Sequence, residues 1–154
     1  MFREMRRQDR MLSEDEAMEV LKNGNFGVMS VNGGNGYPYG VPVHYILDGR
    51  SIYFHSTSQG GHKADALKAD PKISFTVIKM EDEVNGKSAV FFGEAVEVPE
   101  KRQAVLEKIV EKFVPPAAWE STKAGIPYAL EDLTVYELKI QHITGKRIAQ
   151  PEGK

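Results

Sequence analysis

Alternation of apolar and polar residues is the feature of this sequence that most restricts its fold. Tyr136, Leu138 and Ile140, for example, are each followed by a polar residue. Successive side chains of a β-strand point to opposite faces of a sheet, so this period of two predicts strands with one buried face. Six segments with strand character follow one another along the chain: 26–31, 37–47, 51–56, 73–80, 88–98 and 133–143.

Turn-forming residues separate several of these segments. Asp48 and Gly49 both tolerate positive φ angles and predict a hairpin between the second and third strands. Pro38 and Pro42 lack the amide hydrogen that a central strand donates to its neighbour. The second strand is therefore expected to lie at an edge of the sheet or to be irregular over these positions.

Three helices are predicted around the strands. Ser13 and Glu16 form the pattern of a capping box at the start of a helix over 14–23. A short helix follows over 62–69, and a third with one apolar face extends over 99–113. These elements predict a mainly β (α+β) fold, an antiparallel barrel with peripheral helices. The 154 residues suffice for one domain, taken as 1–154.

The composition argues against several functional classes. A formal net charge of −2 gives no support for binding nucleic acid or an anionic membrane. No apolar run approaches the roughly 20 residues of a membrane span. The chain has no cysteine, which excludes disulfides and thiolate chemistry and fits a reducing cytoplasm. The histidine spacings typical of zinc sites do not occur, so no metal site is predicted.

The segment from Ser56 to Lys63 is the strongest candidate for a binding site. It follows a predicted strand and precedes a predicted helix, and Gly60 and Gly61 let the backbone come close to a ligand. The amide groups at the helix start, the charge of Lys63 and the hydroxyl groups at 56–58 together suit a terminal phosphate. A plain turn with a solvated lysine explains the same residues, and composition alone leaves both interpretations open.

Five further segments occur along the chain in a recognisable order. They are 1–7 (MFREMRR), 36–43 (GYPYGVPV), 52–56 (IYFHS), 61–67 (GHKADAL) and 137–146 (ELKIQHITGK). Together they resemble the 5-nitroimidazole-resistance-type proteins of the pyridoxamine 5′-phosphate oxidase-like family, over nearly the whole chain. The resemblance implies a six-stranded antiparallel split β-barrel. It also implies a homodimer with FMN at the interface and a small-molecule substrate.

The resemblance further implies which residues contact FMN. The strand at 41–43 lies with its backbone along the isoalloxazine ring, and the segment 88–90 reaches the flavin from the second subunit. The pair His62 and Lys63 takes the place of the phosphate-binding basic pair. The cofactor-binding residues implied in this way are Val41, Pro42, Val43, His55, Ser56, Thr57, Gly61, His62, Lys63, Ser88 and Val90.

The sequence departs from the true oxidases at two places. They usually carry arginine where His62 stands, which makes Lys63 the firmer phosphate ligand, and the loop before this pair is one residue longer here. They also carry a carboxy-terminal stretch with tryptophan and arginine that grips pyridoxamine phosphate. Here Trp119 is the only tryptophan and the tail at 143–147 reads ITGKR. Vitamin B6 oxidation is therefore not expected.

The expected function is that of an FMN-dependent oxidoreductase that reduces nitroaromatic or similar planar electrophiles. His55 and His62 are the candidates to donate a proton or orient the substrate, and a plain surface role is equally compatible with the sequence. His44 and His142 are expected to be structural. The alternative is a non-catalytic protein on the same barrel that binds flavin, or haem through His44, His55 or His142.

Overall fold

The computed structural model describes residues 1–149 and confirms the mainly β class. In this part of the chain the elements are β1 (Met11–Leu12), α1 (Glu14–Asn23), β2 (Phe26–Asn32), β3 (Pro38–His44), β4 (Ile46–Asp48), β5 (Ser51–Thr57), α2 (His62–Ala69), β6 (Lys72–Met80), β7 (Gly86–Glu97), α3 (Arg102–Phe113), α4 (Trp119–Ala129) and β8 (Leu133–Ile148). Short 3-10 turns precede β1, α3, α4 and β8. None of the described helices is long and apolar enough to cross a membrane.

The strands form one antiparallel sheet that curls into a half-barrel. The strand order is β3-β2-β6-β7-β8-β5-β4, and β1 pairs with the far part of β8. β3 and β4 lie at opposite ends of this order, although only Tyr45 separates them in the chain. The two edges of the sheet must therefore approach each other, which is the geometry of a split barrel. The predicted edge position of the strand with Pro38 and Pro42 is confirmed.

The inner surface of the sheet holds the main core. Phe54, Phe75 and Phe91 are completely buried there, and the rings of Phe75 and Phe91 stack with centroids 5.2 Å apart. Burying one such side chain stabilises the fold by about 1.5–3 kcal/mol. The helix α1 adds Ala17 and Leu21 to this core.

The helices α3 and α4 cover part of the outer surface of the sheet. Val105 and Val110 of α3 form a second apolar cluster with Tyr53 of β5 and Val135 of β8. Glu137 also becomes buried under this layer, at 8 % exposure, although the alternation in the last strand predicts a solvent-facing position for it. Its burial follows because the outer face of β8 is covered where α3 packs.

The number of strands differs from the prediction of six. The segment predicted as one strand over 37–47 is divided at Tyr45, whose buried side chain donates a hydrogen bond to the Leu21 carbonyl at 2.5 Å. The strand β1 has two residues, which is too short to produce a sequence pattern. The helix α4 contains Gly125 and Pro127, both poor helix formers, and was not predicted as an element.

Candidate functional site

The turn from β3 through β4 to β5 brings two histidines together on the outer face of the sheet. Ile46 pairs with Tyr53 in the β4–β5 register, and His44 and His55 each lie two residues beyond this pair along the chain. Part of His55 is open to solvent, yet desolvation by the surrounding protein lowers the pKa of its imidazole, and the charges of Lys63 and His44 lower it further. His55, His44 and Lys63 therefore share one region.

Aromatic rings hold His44 in place. Its imidazole lies 4.0 Å from the ring centroid of Phe26 and 4.6 Å from that of Phe113 at the end of α3. These contacts agree with the structural role predicted for His44.

Lys112 connects the bend at Tyr45, between β3 and β4, to the helices α1 and α3. Its ammonium group donates to the carbonyl oxygens of Gly24 at 2.5 Å and Tyr45 at 2.8 Å. Partial burial lowers its pKa to about 8. Because Gly24 ends α1 and Tyr45 lies between β3 and β4, Lys112 fixes the bend that positions His44.

The start of α2 combines the positive charge of Lys63 with free backbone amide groups, and Asp65 is the acidic residue of its first turn. Gly61 precedes the helix and no side chain caps its first turn, so the first amide groups lack intrahelical partners. The Lys63 side chain is half-buried, with Nζ 5.4 Å from the centroid of the Phe54 ring, and burial lowers its pKa. Among residues 1–149, no carboxylate lies within ion-pair distance of Lys63. This arrangement suits an anionic group.

The hydroxyl-bearing residues follow directly at the end of β5. Ser56 is half-buried and Thr57 is exposed. The backbone amide of Ser58 donates to the carbonyl of Asp132 at 2.9 Å, which anchors the loop that leads to α2. Ser56 and Thr57 thus end β5 directly before the anchored loop that leads to α2.

The two members of the predicted basic pair contact different strands. The ring of His62 meets the edge of Tyr39 in β3 at 4.6 Å, whereas Lys63 covers Phe54 in β5. His62 also lies next to Gly33, where an added Cβ would be 3.2 Å from its Nε2. The structure thus brings Lys63, rather than His62, to the region of His55.

The strand β3 offers its backbone rather than its side chains. Val43 is buried and Val41 half-buried against the core, whereas Pro42 is exposed on the outer face. β3 pairs with β2 along one side, and no other described strand pairs with it. Its outer edge therefore carries free amide and carbonyl groups that a planar ligand can contact.

Ser88 and Val90 lie on the outer face of β7, away from His55 of the same chain. Val90 pairs with Thr144 of β8, whereas His55 pairs with Val135. The offset of nine residues between these positions of β8 corresponds to roughly 30 Å along the strand. One chain therefore does not bring all of the predicted contact residues to a single place.

Two features near the site were not found from the sequence. Lys112 was predicted to have no role and Phe113 only to lie on the apolar core face of α3, although a lysine beside that face was a usable signal. The hydrogen-bonded group of Tyr53, Glu137 and Lys101 also went unnoticed. Tyr53 donates to Glu137 at 2.7 Å, and Lys101 lies 3.2 Å from the Tyr53 oxygen. In the described chain, no three potential metal ligands converge.

The family model described as pyridoxamine 5′-phosphate oxidase matches residues 13–147 of the chain. The chain belongs to this family. Membership agrees with the resemblance seen in the sequence, and a comparison with curated proteins gives no match.

Solved structures show the same family fold. A proposed 5-nitroimidazole antibiotic resistance protein from Bacteroides thetaiotaomicron aligns with a TM-score of 0.74 and 16% identity over 89% of this chain and 86% of its own. An FAD-binding protein from Mesorhizobium loti gives 0.67 and 23% over 91% and 98%. A flavocytochrome from Azotobacter vinelandii gives 0.80 and 19% over 98% and 75%. At these sequence identities the similarity shows a shared fold and nothing further.

Proposed function

We propose that this chain is a single FMN-binding domain of a cytoplasmic oxidoreductase. The observation that carries the proposal is Lys63, a half-buried cation at the uncapped start of α2 that forms no ion pair with a carboxylate of the described chain. A terminal phosphate supplies the negative charge that this position lacks. The flavin-binding proteins among the structural neighbours support a flavin as its carrier.

The residues of the chain have separate tasks in this proposal. Lys63 and the amide groups after Gly61 hold the phosphate, and Ser56 and Thr57 add hydroxyl donors. The free edge of β3 contacts the ring system. His55, whose pKa is lowered, stays neutral near pH 7 and can donate or accept a hydrogen bond toward a substrate. The bound flavin supplies the electron-transfer chemistry.

The substrates we propose are nitroaromatic or other planar electrophiles, with electrons drawn from a nicotinamide donor. The support is the similarity in fold to the proposed 5-nitroimidazole resistance protein, together with the open region around His55. No strong protein acid or base is needed where the cofactor transfers the electrons, which agrees with the neutral state of His55.

We also propose that the active form is a homodimer. The outer face of the sheet exposes Phe26 (57 %), Val28 (42 %), Ile78 (60 %) and Phe92 (41 %). Exposed apolar side chains gathered on one face of a sheet are typical of a protein–protein interface. A partner bound to it would bring its own Ser88–Val90 segment toward the site that one chain leaves incomplete.

A titration with two flavins tests the cofactor. FMN carries the terminal phosphate and riboflavin does not, so fluorescence quenching should show FMN binding at least tenfold more tightly than riboflavin. Equal affinities would show that α2 and Lys63 do not bind phosphate.

A further inference from the structure

His62 is the member of the predicted basic pair that has no task in the function proposed above. Its side chain is exposed, and its ring meets the ring of Tyr39 edge to face, with centroids 4.6 Å apart and planes at 78°. Its Nε2 also lies close to the backbone of Gly33, 3.2 Å from the place that a Cβ would take. Tyr39 and Gly33 both belong to the hairpin that joins β2 to β3. The amino end of α2 is therefore in contact with this hairpin through His62.

The carboxyl end of α2 contacts the same hairpin. Asn32, the last residue of β2, donates from Nδ2 to Oδ2 of Asp70 at 2.6 Å, and Asp70 directly follows α2. The helix has eight residues, fewer than the roughly 12–15 that an isolated helix needs in water. Its position therefore depends on tertiary contacts. Ala66 and Leu67 are buried in the core, and the hairpin contacts both ends of the helix.

We propose that His62 is a positioning residue, which fixes the amino end of α2 against the β2–β3 hairpin and does not itself bind the phosphate. Lys63 and the first amide groups of α2 would then lie where the phosphate binds. This inference rests on the proposed function, because it concerns the phosphate site of that function. In this assignment Lys63 supplies the charge, and His62 supplies the geometry.

The directions of the two side chains support separate tasks. Neighbouring residues of an α-helix point about 100° apart around the helix axis. Lys63 accordingly lies over Phe54 in β5, whereas His62 meets Tyr39 in β3. An edge-to-face pair of rings depends on shape and orientation and needs no charge. A phosphate ligand, in contrast, needs a hydrogen-bond donor. A phenyl ring could therefore replace His62 in the first task and not in the second.

Gly33 lets the backbone of the hairpin come close to His62. Its amide donates to the carbonyl of Tyr37 at 3.1 Å, which closes the tip of the hairpin. A Cβ at Gly33 would lie 2.6 Å from this carbonyl oxygen, so a side chain there would displace the tip or the His62 ring. The contact between α2 and the hairpin is therefore built on both sides, by a ring on the helix and by a residue without a side chain on the hairpin.

The test is a titration of the full chain with FMN and with riboflavin, followed by fluorescence quenching. His62→Phe should bind FMN within about twofold of wild type, because the ring remains and no phosphate bond is lost. His62→Ala should weaken FMN binding roughly two- to tenfold, the range of one aromatic pair, and leave riboflavin binding unchanged. Tyr39→Ala should have the same effect, and the double variant should lose no more than either single variant. Tyr37→Ala is the control, at an exposed position (74 %) of the same hairpin.

Two results with FMN would overturn the positioning role. One is a greater loss in His62→Phe, up to the roughly 100-fold that a charge-assisted bond contributes, because His62 would then bind the phosphate. The other is independent, multiplying effects of Tyr39→Ala and His62→Ala. NMR of the flavin-free chain gives a third test, because Tyr39→Ala should shift the ring protons of His62, and an absent shift would show that the two rings are not in contact.

The same titrations separate this inference from the proposed function. A wild-type chain that does not bind FMN would refute the proposed function, and the positioning role with it. FMN binding to wild type, together with a large loss in His62→Phe, would refute only the positioning role and would leave the flavin site in place.

Discussion

Lys63 is the residue on which the cofactor assignment depends. A charge-assisted hydrogen bond to phosphate contributes about 1.5–3 kcal/mol. Lys63→Ala should therefore weaken FMN binding by roughly 10- to 100-fold and leave riboflavin binding nearly unchanged. Lys68→Ala, at an exposed position of the same helix, is the control. Fluorescence quenching measures both affinities, and an unchanged FMN affinity in Lys63→Ala would refute this site even in a flavoprotein.

His55 should report on the charges around it. Its pKa is lowered by desolvation and by Lys63, so its NMR titration midpoint should lie below 6.5. Lys63→Met removes a positive charge and should raise the midpoint, and bound FMN should raise it too because the phosphate is negative. In the folded chain His55 binds its proton less tightly than in the unfolded chain. As the pH falls below 6.5, the unfolded chain therefore takes up a proton at His55 before the folded chain does, and the free energy of unfolding decreases.

One result would contradict a shared site of His55 and Lys63. A midpoint that neither Lys63→Met nor FMN changes would show that His55 and Lys63 do not share a site. Lys68→Met provides the matched removal of a charge on the outer side of α2.

At the scale of the elements, Lys112 links α1 and α3 to the bend between β3 and β4. Its pKa is about 8 in the folded protein, against an ordinary lysine value of 10.5. Between pH 8 and 10 the unfolded chain binds more protons at this position, so the free energy of unfolding should rise with pH. Lys112→Met should remove this part of the rise. Urea unfolding at several pH values measures it, with Lys22→Met as an exposed control.

The stability of wild type and Lys112→Met should be compared only below about pH 10. Burial raises the pKa of Tyr45 far above 10, and its ionisation in the unfolded chain lowers stability at higher pH. An identical pH slope in wild type and Lys112→Met would show that the lysine is not desolvated at the bend.

The elements found from the sequence are those with local signals. The helix α1 has the predicted bounds because Ser13 and Glu16 form the capping box, with Ser13 Oγ accepting from the Glu16 amide at 3.1 Å. The edge position of β3 follows from its prolines. The burial of Glu137 was mispredicted and the helix α4 was missed, because both depend on how α3 packs in the tertiary structure. The local alternation of apolar and polar residues contains no information about that packing.

The candidate site could be predicted only in part for the same reason. The loop before Lys63 has a local glycine signal, so it could be predicted as a candidate from the sequence. The approach of His44 to His55 depends on the curl of the sheet, and the contact of Phe113 with His44 depends on how α3 packs against it. The distance of Ser88 from His55 within one chain also follows from register, which the sequence does not reveal.

At the scale of the whole molecule, the apolar outer face predicts a dimer. Val90 pairs with Thr76, Thr76 with Val28 and Val28 with Pro42, so this face runs continuously from β7 to β3 over roughly 14 Å. Light scattering should give twice the 17.2 kDa mass of one chain.

A charged substitution on this face tests the dimer directly. Ile78→Glu should produce monomers with an unchanged fold by circular dichroism, because the Ile78 side chain is 60 % exposed in the single chain. Tyr128→Glu on α4, at 89 % exposure, should remain dimeric. A wild-type chain that is monomeric at micromolar concentration with FMN bound would contradict the dimer.

The absorbance spectrum of the protein purified without added cofactor tests the central claim most directly. A flavin held at Lys63 predicts paired bands in the blue and near ultraviolet, and the cofactor released by denaturation should be FMN at about one per chain. A Soret band without flavin bands would instead indicate haem bound through a histidine. A colourless protein that does not bind added FMN would contradict the account.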